Sequence, residues 1–314
     1  MKFSDIIGHE EVRNEFDGLI KIGKISHAHI ICGEDGSGKS FIARELAAKI
    51  LGKTEIKDYA DLIEWKINSG KKSISVDQVR SIIEEVNKKP YEGDKKVIII
   101  HDADYITIQG QNALLKTIEE PPRGVFILLL CETMGRLLDT IRSRCQLHKI
   151  KKLPKEEMLA FINRKYGVLE DKEIKSILAF SVGVPGKVED FMENTALKSI
   201  RDEVMDTLVS IKNMDYDNIV KCAQKLTEYK ELWREVIECF AVYVRDSLIY
   251  KETGKEELII NSDKLEDVKK LAMQFSMNRL NRIFDILNFA KSNMESNVSV
   301  ELTYGTMLFK IQEV

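Results

Sequence analysis

Proline and glycine run out part-way along this chain of 314 residues. All five prolines and fifteen of the seventeen glycines lie at or before Gly186, and only Gly254 and Gly305 follow. Turns and strand punctuation depend on those residues, so the first 186 residues are expected to mix α and β and the remainder to be nearly pure helix. Cysteine is also sparse. Cys32, Cys131, Cys145, Cys222 and Cys239 are odd in number, scattered and without C-x-x-C spacing, which argues against a disulfide framework or a structural zinc site and reads them as small buried hydrophobes. A basic excess is missing as well: the net charge is −3 and the pI about 6.1. No global field exists to drive nucleic-acid binding by counterion release, and any DNA contact has to be local or shared with partners. No stretch approaches the roughly 18 apolar residues of a membrane span, and MKFSDIIGHEEV has neither an apolar h-region nor a cleavage site. The expectation is a cytoplasmic protein. At 44% apolar and 32% charged residues, disorder and collagen-like repeats are excluded, and the length admits two or three domains.

Strand candidates are Ala28 to Cys32, Val97 to His101 and Val125 to Cys131, nearly continuous apolar runs of the kind buried on both faces of a parallel sheet. Between them Lys39 to Leu51, Val76 to Val86 and Gln111 to Glu120 carry apolar residues at helical spacing. Pro121 and Pro122 stop the last of these, since proline lacks a donor and restricts the residue before it. Strands alternating with helices predict a doubly wound α/β layer. From Pro154 onward the period is 3.6. A small helical unit spans about 155 to 205, interrupted by Gly183, Pro185 and Gly186. Beyond it one stripe (Leu232, Val236, Phe240, Tyr243, Val244) and another (Leu280, Ile283, Phe284, Leu287, Ala290) read as a helical bundle, with Lys251 to Asp263 as a polar connector.

GEDGSGKS, made of Gly33, Glu34, Asp35, Gly36, Ser37, Gly38, Lys39 and Ser40, is a complete G-x-x-x-x-G-K-S between a strand candidate and a helix candidate. Its glycines let backbone N–H groups close around phosphate oxygens, and the helix N-terminus adds a favourable dipole. Lys39 would neutralise β and γ phosphates, and Ser40 would ligate Mg²⁺. The blander reading is a turn that binds nothing. ATP or ADP with Mg²⁺ is the expected cofactor, and no zinc is expected. Hydrolysis needs an acidic pair at the end of a neighbouring strand, and here that strand ends VIIIHDAD.

At this point the chain resembles the bacterial clamp-loader branch of the AAA+ proteins. NALLKTIEEPP (112–122) and TIRSRC (140–145) follow at the spacing that branch uses, and FSDIIGHEEV, ISHAHI, ISVDQVR and TIRSRCQ extend the resemblance over about residues 1 to 190. It is similar in particular to the delta-prime subunits of the DNA polymerase III clamp loader. Active members place an Asp-Glu pair with the Glu ten residues before the Asn, which is Asp102 here, so their Mg²⁺-holding Asp falls on His101. An imidazole does not replace a carboxylate on Mg²⁺, which prefers hard oxygen donors. The other alignment, with Asp102 as metal ligand, puts Ala103 where the catalytic Glu belongs. The hydrolytic pair is incomplete in both, and Asp102 remains as a nucleotide-site candidate. The family's cis arginine falls at Gly186, and its polar sensor falls near Cys131 and Glu132. Many relatives carry a four-cysteine zinc module after the first helix, but residues 52 to 70 here contain no cysteine.

Ser143-Arg144-Cys145 is intact, and the resemblance makes Arg144 a finger inserted into a neighbour's ATP site. Such a finger is worth about 10³ to 10⁵ in rate in other NTPases. The resemblance implies three domains: a nucleotide-binding α/β domain (1–153), a helical lid (154–205) and a helical collar for oligomerisation (206–314). It implies a delta-prime role with little or no turnover of its own. The partners would be gamma or tau and delta subunits in a hetero-pentamer that places the β sliding clamp on primer-template DNA at the bacterial replication fork, with no membrane and no polymerase site. The alternatives are a self-sufficient AAA+ ATPase and a structural subunit with an empty P-loop. His27, His29, His101 and His148 lack metal spacing and read as core or surface residues. Trp65 and Trp233 read as packing residues. Lys71-Lys72, Lys88-Lys89, Lys95-Lys96 and Lys149 to Lys152 read as solvated faces, apart from any that line a shared chamber.

Overall fold

The computed structural model describes residues 1–68, 71–296 and 298–314; Gly70, at the end of the cysteine-free stretch, lies outside them. The chain separates into two compact units, one of residues 1–165 with 183–186, the other of 166–182 with 187–314.

The first unit runs α1 (Glu10–Lys21), β1 (Ala28–Cys32), α2 (Lys39–Ile50), β2 (Leu62–Trp65), α3 (Val76–Val86), β3 (Lys96–Ile100), α4 (Ile108–Glu119), β4 (Val125–Cys131), α5 (Asp139–Arg142), β5 (Gln146–Lys149) and α6 (Lys155–Tyr166). All strand pairs are parallel, in the order β2-β3-β4-β1-β5. The period-2 alternation of each strand feeds two separate cores. Ala28, Ile30, Ile98, Ile100, Ile127 and Leu129 pack with Val79 and Ile82 of α3 and Leu114 and Ile118 of α4. Ile31, Val97, Ile99, Leu128 and Leu130 pack on the opposite face with Phe16 of α1 and Ile42, Leu46 and Ala47 of α2. Burying both faces is what makes the central strands read as unbroken apolar runs.

The sequence expectations hold for β1, β4 and α3 in full. β3 is displaced by one residue, ending before His101, and α4 starts at Ile108 rather than Gln111 because Thr107 Oγ1 caps it, accepting from Gly110 N–H at 3.2 Å. β2 and β5 were not anticipated. Both are four residues long and lack a fully buried face. Lys96 departs from the solvated reading: it is fully buried in β3, and its ammonium donates to Glu85 Oε1 (2.5 Å) and Glu85 O (2.9 Å). Of the cysteines only Cys131 is buried; the other four are half-buried.

The second unit is helical: α7 (Asp171–Ser181), α8 (Pro185–Glu193), α9 (Thr195–Ser210), α10 (Tyr216–Thr227), α11 (Trp233–Thr253), α12 (Leu265–Gln274), α13 (Met277–Glu295) and α14 (Val300–Glu313), with the first residues of α8 belonging to the sheet-bearing unit. α11 packs on α9, α12 and α13, burying Phe240, Tyr243 and Val244, while Leu280, Ile283, Leu287 and Ala290 of α13 are buried in turn. Asp246, fully buried in α11, accepts from Asn261 N–H and Asn261 Nδ2 at 2.8 Å each and so fixes the polar connector. No described helix is long and apolar enough to cross a membrane.

Two histidines meet inside the first unit. His29 Nε2 donates to Ser26 O at 2.8 Å, which leaves Nδ1 to accept from His148 Nε2 at 3.0 Å; Glu15 Oε2 lies 3.3 Å from His148 Nδ1. Burial, reinforced by His148 and opposed by the Ser26 carbonyl, pushes the His29 pKa down from 6.5 to about 4. The unfolded chain therefore takes up a proton near pH 6.5 that the folded chain refuses until about pH 4. Stability is fully present above pH 6.5 and is lost as the pH falls toward 4, by about 3 kcal/mol for this group. Urea unfolding at pH 7, 5.5 and 4 is expected to show this loss, and His29→Phe to flatten it. An equal slope in the variant would count against the buried pair as its source.

Candidate nucleotide-binding site

The phosphate loop lies at the carboxyl edge of the sheet, where the connections from the adjacent strands β1 and β4 lead to opposite edges of the sheet, β2 and β5, the kind of crevice in which open α/β sheets hold ligands. Gly33 N–H donates to Cys131 O (3.1 Å), joining the loop to β4. Gly36 (φ +74°) and Gly38 (φ +96°) take left-handed conformations that a side chain would strain, and α2 begins at Lys39. The Lys39 ammonium donates back to Gly33 O (2.8 Å) and Glu34 O (2.9 Å). Ser37 Oγ is buried and has no hydrogen-bond partner among the described residues. That orphaned donor, with the loop amides and Lys39, fits an anionic oxygen such as a phosphate supplies.

His9, which the sequence reading passed over inside FSDIIGHEEV, braces the loop from outside. It occupies a left-handed position (φ +58°) before α1, and its Nε2 lies 2.9 Å from Ser37 O. Burial lowers its pKa, opposed by that hydrogen bond. The ring is thereby kept neutral and donates from Nε2.

Gly186 meets the loop at its backbone. Its N–H donates to Gly36 O at 2.9 Å, and a Cβ on Gly186 would lie 2.6 Å from Gly36 Cα. The position that the resemblance assigns to a cis arginine thus holds the one residue type that permits this approach.

The acidic strand end is committed elsewhere. His101 follows β3 with its N–H on Trp65 O, and its Nε2 lies 2.8 Å from Glu64 Oε2 on β2. Arg44 Nε of α2 donates to Glu64 Oε1 at 2.6 Å. Burial pushes the Glu64 pKa up, but the hydrogen bonds from His101 and Arg44 outweigh it and the carboxyl is held below its ordinary range. Glu64 is the one polar residue of a four-residue strand and carried no sequence signal. Asp102 is exposed in a left-handed conformation (φ +52°). Asp104, two residues on, is buried: Oδ2 accepts from Thr133 N–H at 3.0 Å and Oδ1 has no partner among the described residues. At the sensor position the Cys131 thiol is buried, burial pushes its pKa far up, and it packs on Met134 Sδ at 3.9 Å. Glu132 is exposed.

Arg144 lies in the turn after α5. Its Nη1 donates to Thr140 O (2.9 Å) and Ser143 Oγ (3.3 Å), and its Nε lies 2.5 Å from Glu119 Oε1 in an ion pair. At its other end α4 is fastened to the same segment by buried Gln111, whose Oε1 accepts from Leu138 N–H and whose Nε2 donates to Arg136 O. No group of three or more His, Cys, Asp or Glu able to hold a metal occurs among the described residues.

Residues 8–154 match the family described as "DNA polymerase III, delta subunit", and residues 195–313 match that described as "DNA polymerase III, delta subunit, C terminal". The chain is homologous to clamp-loader subunits of the AAA+ family. The tau subunit of Bacillus subtilis (strain 168) is 25% identical across 99% of this chain and 61% of its own length. The delta-prime subunit of Escherichia coli (strain K12) is 37% identical, over 41% of this chain and 37% of its own. That of Haemophilus influenzae is 32% identical over 51% and 53%. The chain thus spans less than two thirds of the length of each of these relatives.

The loop contact of this clamp-loader homologue can be probed directly. Gly186→Ala is expected to lower stability by about 1–3 kcal/mol, because backbone must move to admit the methyl group, and to speed deuterium exchange at Gly36 and Ser37. Gly135→Ala, whose Cβ meets nothing within 4 Å, is the control and should stay within about 0.5 kcal/mol.

Proposed function

We propose that this chain is a delta-prime-type clamp-loader subunit: it binds ATP or ADP with little or no turnover and donates Arg144 to the ATP site of a neighbouring subunit. The observation that carries this reading is the contrast between the two halves of the catalytic apparatus. His101 is engaged by Glu64, and the acidic pair needed for hydrolysis in cis is incomplete; the Ser-Arg-Cys turn needed in trans is whole and half-exposed. The loop amides, Ser37, Lys39 and Ser40 would hold the nucleotide phosphates and Mg²⁺, with Asp102 at the rim. Bound Mg²⁺ would neutralise phosphate charge. In this reading residues 154–205 serve as a lid and 206–314 as a collar joining gamma or tau and delta subunits. The assembly would load the β sliding clamp on primed DNA.

A second reading, a gamma- or tau-like subunit that hydrolyses ATP itself, is favoured by the tau match along 99% of the chain. Steady-state assays separate the two. The isolated protein is expected to show no ATP turnover above a Lys39→Ala control, and a clear Lys39-dependent rate would establish the second reading. In a loader reconstituted with cognate subunits, clamp and primed DNA, Arg144→Ala should leave assembly intact and lower DNA-stimulated ATP hydrolysis about tenfold. Unaltered hydrolysis would make Arg144 structural.

A further inference from the structure

An arginine finger has to be long enough to cross an interface and still arrive in one orientation. A guanidinium on a flexible stem pays for that orientation each time it docks, unless its own subunit fixes it beforehand. The donors of Arg144 divide unevenly. Nε is ion-paired with the Glu119 carboxylate at 2.5 Å, and Nη1 donates to Thr140 O and Ser143 Oγ. Nη2 makes no hydrogen bond among the described residues. Two of the five N–H donors therefore stay free on a guanidinium held along its other side.

Thr140 and Ser143 lie within four residues of Arg144 along the chain and move with it. Glu119 does not. It is the last residue of α4, whose end is set by Pro121 and Pro122 and whose start is tied to the 136–138 segment by Gln111. The two motifs NALLKTIEEPP and TIRSRC, separate in sequence, are thus joined at their functional ends by one ion pair. Arg144 and Glu119 are 39% and 43% exposed, and ion pairs so exposed add little to fold stability. Restraining the side chain is the consequence left to this contact.

We infer that Glu119 is the positioning residue of the finger: its carboxylate holds the Arg144 guanidinium with Nη2 directed by its own subunit rather than by the neighbour's nucleotide. The inference rests on the assignment of Arg144 as a trans finger. Charge is the essential element, because the contact is an ion pair and a neutral amide removes the attraction that draws the two groups together.

The test uses the reconstituted loader with ATP and primed DNA. Glu119→Gln is expected to lower kcat for ATP about threefold with KM for ATP unchanged, and Glu119→Asp, which keeps the charge on a shorter stem, to lose less. In an Arg144→Ala background Glu119→Gln should have no further effect. Thermal unfolding of the isolated Glu119→Gln chain should match the wild type, which separates positioning from folding. If Arg144→Ala lowers the rate and Glu119→Gln does not, the positioning role falls while the finger stands. A further loss from Glu119→Gln in the Arg144→Ala background would also overturn it, by showing that Glu119 acts independently of the finger. If Arg144→Ala itself changes nothing, both the finger and its positioning residue are overturned.

Discussion

The register of β1 against β4 is the constraint on which the carboxyl edge of the sheet depends. Cys32 stands opposite Cys131, so the phosphate loop leaves β1 at the same level at which β4 releases the segment leading to Arg144. The next amide, Gly33 N–H, is spent on Cys131 O, which fixes the start of the loop. A slip of one residue would turn Ile30 and Leu129 out of one core and Ile31 and Leu130 out of the other. The apolar packing on both faces therefore sets the geometry of the polar edge.

Around the edge, charged groups are used for bracing as much as for chemistry. Arg44, Glu64 and His101 tie α2, β2 and the end of β3 together, and Asp104 ties the turn after β3 to that after β4. Gly186 completes the pattern by meeting the loop with backbone. The segment leading to Arg144 is held by α4 at both ends, Gln111 meeting residues 136–138 and Glu119 pairing with Arg144 itself.

Much of this was legible in the sequence. Five consecutive apolar residues reveal a strand that is buried on both faces, and so β1 and β4 were evident. LIEW and QLHK were not, because four residues without alternation or a long apolar run carry too little pattern and become strands only when an existing sheet offers them hydrogen bonds. Lys96 misled for a related reason: a lysine in a short basic cluster reads as solvated, and only Glu85 on α3, eleven residues earlier in sequence, makes its burial tolerable. The P-loop was plain because its glycines and lysine act through local backbone geometry.

The sequence by itself determined what depends on neighbours along the chain: the α/β-to-helical change marked by the last prolines and glycines, the phosphate loop, the incomplete acidic pair at His101 and Asp102, and the Ser-Arg-Cys turn. Tertiary structure alone decided what those residues meet. His101 could not be joined to Glu64, Gly186 to Gly36 or Arg144 to Glu119 from spacing. Each of these contacts links elements 25 to 150 residues apart, and such pairs are brought together by the packing of the whole sheet and its helices, not by any local periodicity.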